Sequence, residues 1–392
     1  MTEPVGAGTS VPRASLRVAG LSLGHHQIVA ADALSCNRVI CIARGTSPEL
    51  IDIQHAAEDA GMQFHVMASP QQMAGLVSAA DDVFVFAEGL LVEPSALVSL
   101  LENGPAVLVQ PVETGLGAGF ERIDINNASA GALRIPGRLI DQLHQLPHDC
   151  EAASALTRIA LQSGIPIREV PIADRTSTRW AMIRTDSEAL TFEHEWLRVG
   201  LRGTGGHSLG GALARAGVLT FGSSMLNAGK ASTMLWLTAI AGLLIAGGLA
   251  WFELYALAFV ICGASWLFVE VGTILRWAER RALGITSPAI TRGETLGWLV
   301  DVVFAGLLIG AWQAQVIGAM AHAIFAPVML MLLLRLVRRL FDPRIAAWVS
   351  DRAMLALILC VASAAGMIAP VVQSLCVVLA VAGLVIPPRF HG

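Results

Sequence analysis

Two hydrophobic rhythms divide the chain. Up to about residue 172, short apolar runs alternate with stretches whose apolar residues recur at helical spacing. RVICIA (38–43), QFHVM (63–67), DVFVFA (82–87) and AVLVQ (106–110) are brief and rich in β-branched side chains, which predicts strands. Between them, SPELIDIQHAAEDAG, SPQQMAGLVSAA and EPSALVSLLENG open on Ser-Pro or Glu-Pro and carry helical periodicity. Two further helices, over 136–146 and 150–163, lead to a last strand, PIREVPI. Apolar strands separated by helices predict an open, mostly parallel, three-layer α/β domain over 15–172.

From residue 231 the alternation stops and the runs lengthen. Six candidate transmembrane helices follow, at 231–251, 253–276, 295–313, 315–336, 353–368 and 369–387, with Pro370 marking the turn between the last two. Each approaches the roughly 20 residues that cross a bilayer as a helix. The loops predict orientation. Arg276, Arg280, Arg281 and Arg292 lie between spans two and three, and Arg335, Arg338, Arg339, Arg344 and Arg352 between four and five. The other three connections hold no Lys or Arg, so the positive-inside rule puts both termini in the cytoplasm, at an inner (cytoplasmic) membrane. Residues 173–230 read as a connector, with a glycine-rich RGTGGHSLGG leading into a juxtamembrane helix that lies in the interface. Residues 1–14 have no charged n-region and apolar core, and are expected to be a disordered tail.

Composition sharpens the division. The 392 residues are 55% hydrophobic and only 14% charged, with the acids and histidines concentrated before residue 210. A net charge of −4 and the absence of a basic run leave no footprint for nucleic acid. Cys36, Cys41, Cys150, Cys262, Cys360 and Cys376 are scattered without a CxxC pair, so they read as reduced space-fillers. Of the 26 basic residues only Lys230 is a lysine. His25, His26 and His194 match no ligand motif. His144 and His148 have helical spacing, but Pro147 interrupts it. No HExxH, GxSxG or phosphate-cradling GxxxxGK[ST] occurs.

Acids inside apolar runs mark function by default, because a mid-helix charge costs about 2.5 to 3.5 kcal/mol on insertion scales. Glu270 and Asp301 are the two near the cytoplasmic ends of spans two and three, and Glu253 lies at the opposite face. Pairing of Glu270 or Asp301 with Arg276 or Arg280 at the interface is the plain structural reading. No carboxylate sits at mid-span, where an ion pathway would need one.

FVEVGTILR (268–276) and GWLVDVVFA (297–305) carry a resemblance. The layout is similar to the CDP-alcohol phosphotransferase family, here fused to a nucleotidyltransferase-like domain. That family has six spans and the motif DxxDGxxAR…GxxxDxxxD, whose aspartates hold divalent metal against a CDP diphosphate. The chemistry needs them because hard cations want oxygen ligands. On that pattern this chain keeps Gly272, Arg276, Gly297 and Asp301, while Phe268, Val271 and Ala305 replace three aspartates. LNAGKAST (226–233) resembles the segment before the first span and keeps Asn227.

The resemblance covers about 175–388 and implies substrate contacts at Gly272, Arg276, Gly297 and Asn227. It implies a remnant catalytic pair, Asp301 with Glu270, and Mg²⁺ or Mn²⁺ at Asp301 if the chain is active. VAGLSLGHHQIVAADALSCNRVICIAR (18–44) resembles the stretch after the nucleotide-binding loop of nucleotidyltransferases. The metal-binding aspartate of that family falls on Glu88, with Asp124 a second acid. No lysine precedes Lys230 to contact a phosphate.

With three of four metal acids replaced, the expectation is a catalytically degenerate membrane protein of polar-lipid biosynthesis. Its ligands would be a CDP-alcohol or a lipid, and it would form a homodimer or a heterodimer with an active paralogue. An active enzyme with a rearranged metal site and an unrelated six-span transporter are the alternatives.

Overall fold

The computed structural model describes residues 1–392 except 6–10, 44, 148–149, 202–207, 228–230, 283–291, 316–319, 341–342 and 386–392. The chain divides into two units, one built mainly from Met1–Trp196 and the other from Leu197–Arg281 and the chain beyond Thr286.

The first unit is mixed α/β. A small antiparallel hairpin, β1 (Arg17–Val18) and β2 (Leu21–Ser22), leads into α1 (Leu23–Ala33), where the Ser22 side chain accepts from the His25 amide as an N-cap. Then come β3 (Arg38–Ile42), α2 (Pro48–Asp59) and β4 (Gln63–Met67), with β3 and β4 pairing in parallel. β5 (Asp82–Phe86), β6 (Leu90–Val92), α3 (Pro94–Leu101), β7 (Ala106–Pro111) and α4 (Val112–Gly117) follow. After them lie β8 (Asn127–Pro136), α5 (Ala152–Gln162), β9 (Ile167–Glu169), α6 (Ile172–Arg175), β10 (Trp180–Met182) and α7 (Asp186–Leu201).

The predicted strands all form, but the sheet is not mostly parallel. The four-stranded sheet runs β5-β8-β7-β9, and β8 pairs antiparallel with both its neighbours; only β7 with β9 is parallel. The expected helices over 69–80 and 136–146 are 3-10 turns at Pro70–Gly75 and Gly137–Gln145. Three layers are present. Alternation along β7 sends Val107 and Val109 to a core with Leu139, Ile140, Leu143 and Leu156, and Leu108 to the opposite core with Leu97, Leu101 and Ala130.

This unit continues past residue 172. β10 pairs with β6, and buried Trp180 donates from Nε1 to Ala130 O at 2.9 Å. The described part of the expected tail is packed, with Thr2 and Glu3 hydrogen-bonded through their amides.

The second unit is helical: α8 (Leu209–Asn227), α9 (Ala231–Trp251), α10 (Tyr255–Ala282), α11 (Arg292–Gln315), α12 (Met320–Leu340), α13 (Pro343–Val349), α14 (Arg352–Ala364) and α15 (Ile368–Val385). Among the described residues, three stretches are long and apolar enough to cross a membrane: Ser232–Trp251, Tyr255–Ala282 and Thr295–Gln313. Within the described residues, the expected spans four to six correspond to the apolar stretches Ala323–Leu336, Arg352–Ala364 and Ile368–Leu384. Only 28% of the Ser232–Trp251 window is buried, and Leu244, Val378 and Leu384 are exposed, which suits helices facing lipid rather than water.

The turn between α14 and α15 comes earlier than Pro370. Gly366 at φ +70° ends α14, and the Met367 amide donates back to Ala362 O as in a Schellman motif. Pro370 then falls in the first turn of α15, where a missing amide costs nothing.

Candidate functional site

α11 buries Asp301 to 4% exposure near the start of its apolar stretch. A carboxylate this deep needs compensation, and two arginines from other helices supply it. Arg352, the first residue of α14, donates from Nε to Oδ1 at 2.9 Å and from Nη2 to Oδ2 at 3.2 Å. Arg335 of α12 donates from Nε to Oδ2 at 2.6 Å, and its guanidinium lies 3.4 Å from the Trp298 ring centroid. Arg352 also donates to Ser350 O at 2.8 Å. Beside it, Asp351 caps α14 on the Ala353 and Met354 amides and accepts from the Gly210 amide.

Among the described residues the cluster therefore holds one carboxylate and two guanidinium groups. Both Asp301 oxygens already accept charge-assisted hydrogen bonds. A divalent ion would have to displace two cations and then sit beside them. The donor set does not fit the paired metals that the resemblance implies.

Gly272 of α10 is buried against α9, where an added Cβ would come within 2.5 Å of Trp236 Nε1. It is a contact point between helices. Gly297 of α11 is buried beside the Trp266 ring, where an added Cβ would find ordinary contact at 3.7 Å. Arg276 is exposed and pairs with Glu279 at 3.2 Å, one turn along the same helix. Glu270 is half-buried on α10. Asn227 ends α8, and its side chain lies outside what the structure describes. Phe268, in the first aspartate position, is 39% exposed.

In the first unit, Glu88 follows β5 at the rim of a cavity of about 980 Å³. Its Oε2 accepts from the Thr2 amide at 2.7 Å and the Glu3 amide at 3.0 Å, and Oε1 from the Ala14 amide at 3.3 Å. The Met1 ammonium is 3.5 Å away. Glu88 thus anchors the N-terminal segment. Burial holds the neighbouring Glu3 carboxyl above its usual 4.5; Arg13 opposes the shift, and Glu151, Glu88 and Glu121 add to it. Asp124 is a loop acid closing an Asx turn on the Asn126 and Asn127 amides, both at 2.7 Å.

His26 is half-buried with Nε2 on Val18 O at 2.9 Å, and desolvation of its ring pushes its pKa below 6.5. Burial pushes the Cys36 thiol up to about 11, which keeps it protonated and unreactive. Among the described residues no three His, Cys, Asp or Glu side chains come together as a metal site.

The arginine partners of Asp301 were missed because they sit 34 and 51 residues away along the chain. The available signal was charge balance: an acid in an apolar run demands a cation, and Arg335 and Arg352 flank the later apolar runs. Comparison with protein-family models and with curated proteins finds no match.

Proposed function

We propose that this chain is an integral membrane protein whose helical unit is a non-catalytic relative of the CDP-alcohol phosphotransferases, acting beside an active paralogue in polar-lipid synthesis. The observation that carries the reading is Asp301. The one aspartate kept from the metal motif has both oxygens bound by Arg335 and Arg352 and is nearly inaccessible. A carboxylate so neutralised holds helices together; it does not present oxygen to a cation.

The arginine-rich connections support cytoplasmic termini, and the apolar surface of α9, α10 and α11 supports a bilayer as the medium. Dimerisation, with itself or with the active paralogue, is the corresponding assembly.

Titration calorimetry of the detergent-purified chain with CDP-diacylglycerol and Mg²⁺ or Mn²⁺ tests this directly. No heat and no thermal shift are expected up to millimolar ligand. Metal-dependent binding that disappears in Asp301→Asn would overturn the reading in favour of an active transferase with a rearranged site. Isolation from native membranes should yield an intact homologue in stoichiometric complex; a homogeneous preparation of this chain alone removes the heterodimer.

A further inference from the structure

The cavity of about 980 Å³ in the first unit is bounded by β3 on one side and β5 on the other. Among the described residues β3 bonds to β4 alone, and β5 to β8 alone. Successive backbone groups alternate in direction along a strand, so the bonds already made fix what faces the cavity. Asn37 O and Ala43 N bond toward β4, which turns the N–H and C=O groups of Arg38, Ile40 and Ile42 away from it. Asp81 O and Ala87 N bond toward β8, which turns those of Asp82, Phe84 and Phe86 into the cavity from the other side. Among the described residues, the bond recorded at these cavity-facing groups is Ile42 O accepting from the Met1 nitrogen.

Two facing ladders of unpaired backbone inside a domain are costly, and open sheet edges invite pairing. The side chains agree. Ile40, Ile42, Phe84 and Phe86 are only partly buried, whereas Ala106–Gln110 of β7 is buried at every position.

The cavity has room for about one strand by volume. A strand residue fills about 160 Å³, from roughly 3.3 Å of rise, 4.8 Å between strands and 10 Å through the layer, so five residues need about 800 Å³. A nucleotide or a lipid tail offers no matching run of donors and acceptors to both walls.

We propose that this cavity is the seat of one further β-strand, an extended apolar segment of about five residues joined to Met1 on its N-terminal side. The place of the join is set by Met1, whose nitrogen lies at the end of β3 on Ile42 O and 3.5 Å from Glu88 Oε2. An amide at that nitrogen keeps the bond to Ile42 O and spares the burial of an ammonium group. The seated strand pairs with β3 and β5 together and makes one continuous sheet of the two. This inference is independent of the reading of the membrane unit.

Hydrogen exchange on the full chain in detergent tests it in three forms: residues 1–392, the same chain with Val-Val-Ile-Val-Val fused ahead of Met1, and one with Gly-Ser-Gly-Ser-Gly at the same place. The apolar extension should slow exchange at the Ile40, Ile42, Phe84 and Phe86 amides on the order of a hundredfold, and the Gly-Ser extension should leave them unchanged. Equal protection by both, or by neither, overturns the seat. Intact mass of the protein from its native membrane tests the source without any variant. A chain at least five residues longer supports the proposal. A chain of 392 residues, with its own amine free or with another polypeptide in the slot, overturns it.

Discussion

At Asp301, among the described residues, two guanidinium groups outnumber one carboxylate, so the acid is the indispensable member of the cluster. Asp301→Asn leaves Arg335 and Arg352 facing each other, and Arg352 is buried with nowhere to reach water. Breaking a buried ion pair from one side costs about 3 to 5 kcal/mol. Thermal unfolding in detergent should show a loss of that size for Asp301→Asn. Arg352→Met should lose less, because Asp301 keeps Arg335. The reverse ranking would mean that Asp301 is not the hub. Glu193 on α7 poses the opposite problem: it is fully buried, and among the described residues neither carboxylate oxygen has a hydrogen-bond partner. Burial raises its pKa above 4.5, and the Ala19 backbone only partly offsets this. A raised carboxyl contributes stability that is complete below pH 4.5 and is lost as pH rises through the folded value. Glu193→Gln should therefore match the native chain at pH 4.5 and become the more stable of the two as pH rises to 7.5. Parallel melting curves across that range would contradict the assignment.

Among elements, those with strong local periodicity were legible and those fixed by distant partners were not. β3, β4, β5 and β7 lie within a residue of the runs that predict them, because β-branched and aromatic side chains declare a strand locally. β8 went unseen: NASAGALRIP is built on alanine and glycine at its start, and its antiparallel place at the sheet centre comes from Ala128, Ala130 and Ala132 filling a shallow core. Missing it is what made the sheet read as parallel. β10 is three residues long and exists through pairing with β6. In the membrane unit Gly272 was legible as special, but the sequence cannot tell a ligand-facing glycine from a helix-contact glycine. The geometry favours contact, and a pair of substitutions separates the two. Gly272→Ala drives a methyl into Trp236 and should cost about 1 to 3 kcal/mol. Gly306→Ala on α11 meets nothing within 4 Å and should be neutral or stabilising by about 0.5 to 1 kcal/mol. Equal melting temperatures for the two would mean that α9 and α10 are not in close contact at Gly272.

For the whole molecule, the decisive quantity is where the charged connections stand relative to the bilayer. Among the described residues three helices satisfy the length and apolarity of a span and the later apolar stretches are shorter, so the count alone does not set the topology. Charge does. The turn after α9, at Phe252–Leu254, carries Glu253 and no cation, whereas α10 ends on Arg280 and Arg281. Moving arginines across the membrane is what insertion resists, and acids count for little in that balance. α10 should therefore run with Tyr255 outside and its arginine end in the cytoplasm. Single cysteines in a cysteine-free background, labelled from intact cells with a membrane-impermeant maleimide, read this out. A cysteine at Phe252 should label in intact cells. One at Trp348, on α13 beyond the arginines of α12, should label only after lysis. Adding two arginines at 252–254 should weaken or invert the first result, because the sign of the charge gradient along α10 would be lost. Labelling at both sites in intact cells in the unmodified chain would instead place the α12 arginines outside and remove the basis for cytoplasmic termini.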